Sequence, residues 1–290
     1  RARRTGKSAG GHHDGGKNGR DRALIHRPRK RFGQHFLHDP VIIAKILKAV
    51  DPKPGQTLVE IGPGQGAITV PLLDRVGTLH VVEIDRDLCS ELRHRCAGHG
   101  VPVIHCADAL RFDFAALAPA CSRLRLVGNL PYNISTPLIF HLLGQREHIE
   151  DMHFMLQREV VDRMAALPGT KQYGRLTVML AAGCRVEPLF SVGPGAFRPP
   201  PRVRSSVVRL TPWMDPPFET GNPQVFAELV RRAFSMRRKT LRNALGGMIP
   251  ESEIVAAGVD PESAAGPVDT IGHPSDPDVQ AARPGHAVPE

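Results

Sequence analysis

The sequence predicts an α/β fold, a doubly wound parallel sheet followed by a small all-helical part, and three observations carry that reading. Short apolar runs alternate with segments of helical period between residues 40 and 166. The first of those runs ends in the glycine-rich stretch Gly62-Pro63-Gly64-Gln65-Gly66. Beyond Pro212 the apolar runs stop and helical patterns rich in arginine take over. At 290 residues with 41% apolar composition, the chain has enough material for one large core and a smaller annex.

The elements follow in order. Asp39 before Pro40 is an N-cap and first-turn signal, and Val41, Ile42, Ile46, Leu47 and Val50 continue it as a helix. Leu58–Ile61, Leu79–Ile84, Val101–Cys106, Leu124–Val127 and Met152–Leu156 read as buried parallel strands. Helices are expected between them, near 67–75, 86–97, 135–143 and 158–166. Residues 174–184 read as a further helix, and Leu189–Val192 and Val207–Leu210 as added strands. Helices are expected again at 222–234, 237–246 and 251–257, with a domain boundary near Pro212.

The net charge of +9 is a sum of unlike parts. Residues 1–30 carry +8, residues 31–250 carry +8, and residues 251–290 carry −7. Within the middle part, 31–184 is nearly balanced, whereas 185–250 holds eleven basic residues against four acids. That asymmetry points to a polyanion held by the second part of the chain. The first 29 residues, rich in Gly, Arg and His, are expected to form a disordered basic tail, and 261–290 an atypical, disordered one. No run of about 18 apolar residues suggests a membrane span, and no apolar core of a signal peptide opens the sequence, so a cytoplasmic protein is expected. The odd count of five cysteines without a Cys-x-x-Cys pair fits reduced thiols. No metal-ligand spacing is present, and no bound metal is expected.

The glycine loop lets the backbone pass close beneath a ligand at a helix N-terminus. Gly62, Gly64 and Ala67 also satisfy a dinucleotide pattern, and Glu83 lies 21 residues after Gly62, the reach of a ribose-binding acid. Asp108 follows the third strand, where an adenine amine would find an acceptor. Glu60, Glu83 and Asp108 together suit a ligand with an ammonium, a ribose and an adenine. S-adenosylmethionine is one such ligand; a nicotinamide dinucleotide remains the alternative.

The fourth strand closes with Gly128-Asn129-Leu130-Pro131-Tyr132. A nucleobase amine is a poor nucleophile because its lone pair is delocalised into the ring. Two acceptors aimed at its N–H bonds favour a tetrahedral nitrogen, and the Asn129 side-chain oxygen and the Leu130 carbonyl are placed to supply them. Pro131 stiffens the turn, and Tyr132 offers a flat face to an extruded base.

On these residues the chain resembles the small-subunit ribosomal RNA adenine dimethyltransferases, with the erythromycin-resistance methyltransferases as more distant relatives. The likeness runs from about Arg29 to Asp260. It includes KRFGQHFL at 30–37, EIGPG at 60–64, EIDRDL at 83–88 and NLPYNISTPLIFHLL at 129–143. It continues through DMHFMLQREVVDRM at 151–164, YGRLTVM at 173–179, AFRPPPRVRSSVVRL at 196–210 and RRKTLRNALG at 237–246. The resemblance implies a Rossmann-like class I methyltransferase domain over 30–212 and a helical rRNA-binding domain over 213–260. It also implies four methyl transfers from S-adenosylmethionine to the N6 atoms of two adjacent adenosines near the 3′ end of 16S rRNA, in an immature small subunit, by a monomer.

Carried over by position, the donor site comprises His35, Leu37, Gly62, Glu83, Asp108 and Asn129, beside Glu60 and Gly64. Many members have Asn where this chain has His35. Phe197 matches a family aromatic that covers the base opposite Tyr132; a packed core Phe is the alternative. Arg231, Arg232, Arg237, Arg238, Lys239 and Arg242 line up with the rRNA-gripping domain, the alternative being a solvated helix face. After Asp260 the chain departs from the family, which continues into a final amphipathic helix. Two rivals remain, a dehydrogenase using the same loop and a ribosome-assembly checkpoint that keeps the fold without turnover.

Overall fold

Residues 35–236 and 239–264 are described by a computed structural model of the chain. Asp39 caps the first helix, α1 (Pro40–Val50), by accepting the N–H groups of Val41 and Ile42. The chain then alternates through β2 (Leu58–Ile61), α2 (Thr69–Val76), β3 (Thr78–Glu83), α3 (Arg86–Arg95), β4 (Val101–Cys106), β5 (Leu124–Asn129), α4 (Ser135–Leu143), β6 (Ile149–Gln157) and α5 (Arg158–Met164). Next come α6 (Arg175–Ala181), β7 (Cys184–Val192) and β9 (Ser205–Pro212). A two-residue ribbon joins β1 (Phe36–Leu37) to β8 (Phe197–Arg198).

Seven strands form one sheet in the order β4-β3-β2-β5-β6-β9-β7. The first five are parallel to one another, and β9 and β7 close the edge antiparallel. Alternate residues of the central strands feed two cores. Val59, Ile61, Leu126 and Phe154 pack under α4 and α5 with Leu138, Leu142 and Val161. Leu58, Val81, Val127 and Met155 face α1, α2 and α3 through Leu47, Val50, Leu72 and Leu92. This arrangement brings the carboxyl ends of β2, β3, β4 and β5 to one rim of the sheet.

Several boundaries differ from the sequence reading. The helix expected over 174–184 stops at Ala181, and Cys184 already opens β7, which runs through Pro188 on the sheet edge, where a missing N–H is tolerated. The helix expected over 237–246 is described only as α8 (Leu241–Leu245), and Arg237 and Arg238 lie outside the described residues. Helices α7 (Pro223–Ser235), α8 and α9 (Glu251–Ala256) share a small cluster of Leu241, Leu245 and Ile254 with Leu229 and Ala233. Pro261–Ala264 folds back on α8: Leu241 N–H donates to the Ser263 carbonyl and Arg242 N–H to the Pro261 carbonyl. The N-terminal tail and residues 265–290 lie outside the described residues.

The expectation of reduced thiols meets one close pair: the sulfurs of Cys89 and Cys106 are in contact, with Cα atoms 6.4 Å apart. Sheet register explains the meeting: Cys106 sits opposite Glu83 in the β3–β4 ladder, and Cys89 lies in the first turns of the helix that follows Glu83. Cys96, Cys121 and Cys184 are free. Among the described residues, no helix is long and apolar enough to cross a membrane.

Candidate active site

A cavity of about 230 Å³ opens beyond the carboxyl ends of β2, β3 and β5. Ten of the residues singled out in the sequence line it: His35, Leu37, Glu60, Gly62, Gly64, Glu83, Asp108, Asn129, Leu130 and Tyr132. The loop after β2 needs its glycines, because Gly62 and Gly64 adopt φ of 66° and 56°, a region costly for other residues. A side chain on Gly64 would also press its Cβ to 3.0 Å from the Phe36 ring. The loop floor is therefore bare backbone, open to close approach.

Three acids stand around this floor in different states. Glu60 is buried, its Oε2 has no hydrogen-bond partner among the described residues, and burial pushes its carboxyl up to about 8. The nearby Thr69 hydroxyl opposes the shift and Glu83 adds to it. An orphaned buried carboxyl of this kind is a receptor for a cationic group. Glu83 accepts the Asp85 N–H at 2.9 Å; burial raises its pKa, against the pull of the backbone N–H groups of Asp85, Ile84 and Gly64. Asp108 accepts the Leu110 N–H at 3.0 Å, which closes the turn after β4.

The state of Glu60 has a measurable consequence. An acid whose pKa is raised by folding costs the folded state progressively more as pH climbs from 4.5 toward 8. Glu60→Gln is therefore expected to melt several degrees higher than the parent at pH 8, the gap closing as pH falls toward 4.5. Calorimetry on the donor-free protein checks this, and equal melting temperatures at pH 8 would contradict it.

At the end of β5, Asn129 Nδ2 donates to the His35 carbonyl at 3.0 Å. That bond fixes the amide orientation and leaves Oδ1 as an acceptor with no partner among the described residues. The Leu130 N–H is spent on the Met155 carbonyl, while the Leu130 carbonyl accepts no hydrogen bond among the described residues. Two consecutive residues at the end of the strand thus each keep an acceptor with no partner among the described residues. The half-buried Tyr132 donates or accepts at 2.8 Å with Ser205 Oγ, and its carbonyl accepts the Ser135 hydroxyl at 3.1 Å.

Phe197 is 2% exposed, pairs with Leu37 in the short ribbon, shares a core with Val192, Val207 and Met155 and is not among the residues that line the cavity, the placement of a packed core Phe. The physical reason is the ribbon itself, which turns the side chain of β8 inward. The ring that faces Tyr132 is His35, 6.0 Å away between centroids and tilted by 30°. His35 Nδ1 lies 2.8 Å from the Pro199 carbonyl and donates to it, which sets the tautomer and ties the 35–37 segment to the loop after β8.

The basic residues divide. Glu228 takes both Arg231 and Arg232 at 2.6–2.9 Å, and these two hold its carboxyl down to about 2. Arg242 pairs with Glu262 at 2.8 Å. Lys239 is exposed and makes no ion pair among the described residues. Sequence reasoning missed a second group: Arg198 at the end of β8 and Arg202 and Arg204 on the loop before β9 are exposed and make no ion pair among the described residues. Their signal is the Pro-rich Arg-x-x-x-Arg-x-Arg spacing.

Comparison with known proteins agrees with this geometry. The chain is 56% identical over 238 residues to the Ribosomal RNA small subunit methyltransferase A of Nitrosococcus oceani, spanning 82% of this chain and 90% of that one. It is 55% identical over 236 residues to the protein of the same name from Pseudomonas aeruginosa, spanning 81% and 88%. Among solved structures it resembles a dimethyladenosine transferase from Plasmodium falciparum, with a TM-score of 0.65 and 33% identity over 73% of this chain and 74% of the other. It also resembles the 23S rRNA methyltransferase ErmE, with a TM-score of 0.64 and 27% identity over 80% and 94%. The family described as Ribosomal RNA adenine dimethylase matches residues 25–268. Cavity, acceptor pair and sequence point the same way: the chain belongs to the ribosomal RNA adenine dimethylase family and is an rRNA methyltransferase.

Proposed function

We propose that the protein dimethylates the N6 atoms of two adjacent adenosines near the 3′ end of 16S rRNA, with S-adenosylmethionine as methyl donor, on the immature small subunit. The observation that carries this reading is the pair of free acceptors, Asn129 Oδ1 and the Leu130 carbonyl, at the mouth of a cavity lined by Glu60, Glu83 and Asp108. When bound, the donor supplies an electrophilic methyl group on a sulfonium. Glu60 suits its ammonium, Glu83 its ribose hydroxyls and Asp108 its adenine amine, while Gly62 and Gly64 let the backbone lie against it. His35 and Leu37 form the near wall through the segment that Asn129 fixes.

Asn129 Oδ1 and the Leu130 carbonyl would accept the two N–H bonds of the target amine, pulling the nitrogen toward tetrahedral geometry and directing its lone pair into the cavity. After transfer the same acceptors hydrogen-bond the N–H of the methylated, cationic amine until its proton passes to water. Tyr132 stacks on the extruded base and so offsets part of the cost of unstacking it. The protein would act in the cytoplasm as a monomer, the sheet domain to about Pro212 carrying the chemistry and the helices beyond it gripping rRNA.

With Arg231, Arg232 and Arg242 already bonded to acids, the exposed Lys239, which makes no ion pair among the described residues, leads the candidate contacts to phosphate, with Arg237 and Arg238 assigned beside it from the sequence alone and the exposed Arg198, Arg202 and Arg204 as a second group. Replacing Arg237, Arg238 and Lys239 by Ala is expected to weaken binding to immature subunits and to flatten the slope of log affinity against log salt by roughly 2–3. Filter binding from low to high salt checks this. An unchanged slope would remove the patch.

A further inference from the structure

Tyr132 is held by a neighbour that does not line the cavity. Its phenol oxygen lies 2.8 Å from Ser205 Oγ. Ser205 is fully buried at the start of β9, opposite Gln157 of β6 on one side and Val192 of β7 on the other. A residue flanked by two ladders cannot shift without disturbing both, so the backbone that carries its hydroxyl is a fixed point. The near end of Tyr132 is fixed too, by the Ser135 hydroxyl on its carbonyl and by Pro131 before it. A ring clamped at both ends has lost most of its rotamer freedom before any base arrives, and that ordering cost is then not charged to binding.

We propose that Ser205 is a positioning residue: its hydroxyl holds the Tyr132 phenol so that the ring stands ready as a stacking wall for the extruded adenine. The inference rests on the reading of Tyr132 as the stacking platform. Ser205 itself is not among the residues that line the cavity. Burial pushes the Tyr132 phenol up while the Ser205 bond pulls the other way, and the hydroxyl stays neutral and able to share its proton.

The test measures methylation of immature subunits and donor binding for Ser205→Ala, Ser205→Thr, Tyr132→Phe, Tyr132→Ala and the Ser205→Ala/Tyr132→Phe double variant. Ser205→Ala and Tyr132→Phe are each expected to lower kcat/KM by about 3- to 10-fold, mainly through KM, with donor Kd unchanged within about twofold. The double variant should fall no further than the worse single one, and Ser205→Thr should keep most activity. A bond that served stability alone would leave KM in place, and independent roles would multiply in the double variant; either result overturns the proposal. Tyr132→Ala separates the two levels. If it is crippled while Ser205→Ala and Tyr132→Phe match the parent, stacking stands and the role of Ser205 falls. If Tyr132→Ala itself retains full activity, the stacking reading fails and takes the inference with it. Should Ser205→Ala not bind donor through misfolding, Tyr132→Phe deletes the same bond from its accessible end and decides the matter.

Discussion

Asn129→Ala is expected to lower methyl transfer by at least about 100-fold while donor Kd stays within roughly threefold of the parent. The variant removes one of two acceptors from the position where charge develops on the attacking nitrogen. It also removes the Nδ2 bond to the His35 carbonyl, which accounts for the small change allowed in donor binding. Asn129→Asp refines the test, since it keeps an acceptor oxygen and loses the donor that anchors it. Single-turnover methylation and calorimetric titration of the donor read the two effects separately. Turnover retained in Asn129→Ala would refute the role given to the strand end.

The second large effect lies far from the chemistry. Arg125 is buried at the opposite end of β5, where its guanidinium forms a fork with Asp151 at 3.0 and 2.7 Å and also donates to the Val50 carbonyl and Gln56. Arg125→Met fills similar space and leaves Asp151 buried without its cation, a change that costs roughly 3–5 kcal/mol. A fall in Tm of about 10 °C is the expected reading. Burial works to raise the Asp151 pKa, but the His153 imidazole, 3.6 Å away, and Arg125 outweigh it and hold the carboxyl below its ordinary 3.8. A depressed acid stabilises the fold above that value and loses its contribution as pH falls through the folded pKa, so the parent should show an acid limb that Arg125→Met lacks. Adding Asp151→Leu to Arg125→Met should recover most of the loss, because no buried charge is then orphaned. Calorimetry of the parent and both variants checks this, and a parent-like Tm in Arg125→Met would contradict it.

The parallel half of the sheet is legible because buried strands are written as short apolar runs, and Leu58–Ile61 and Met152–Leu156 fall where the structure has them within a residue or a few. The site is legible for a topological reason. Glu60, Glu83, Asp108 and Asn129 each lie within two residues of a strand's carboxyl end, and a doubly wound sheet gathers those ends on one rim. What stays hidden depends on contacts across long sequence distances. The two-residue ribbon of Phe36–Leu37 with Phe197–Arg198 has no periodicity to read, yet it decides that Phe197 is core and that His35 faces Tyr132. Ser205 looks like any strand serine until β6 and β9 are laid side by side. The Cys89–Cys106 pair likewise follows from register rather than spacing. Glu228 with Arg231 and Arg232 is the opposite case, since three- and four-residue spacing on a helix already announces the pairing.

The measurement that bears most directly on the central claim is mass spectrometry of 16S rRNA from immature small subunits incubated with the protein and S-adenosylmethionine. The account predicts N6,N6-dimethyladenosine at two adjacent positions near the 3′ end, four methyl groups per subunit, and none when Asn129 is Ala. Tight binding of the subunit with no dimethyladenosine formed would contradict it and leave an assembly factor in place of an enzyme.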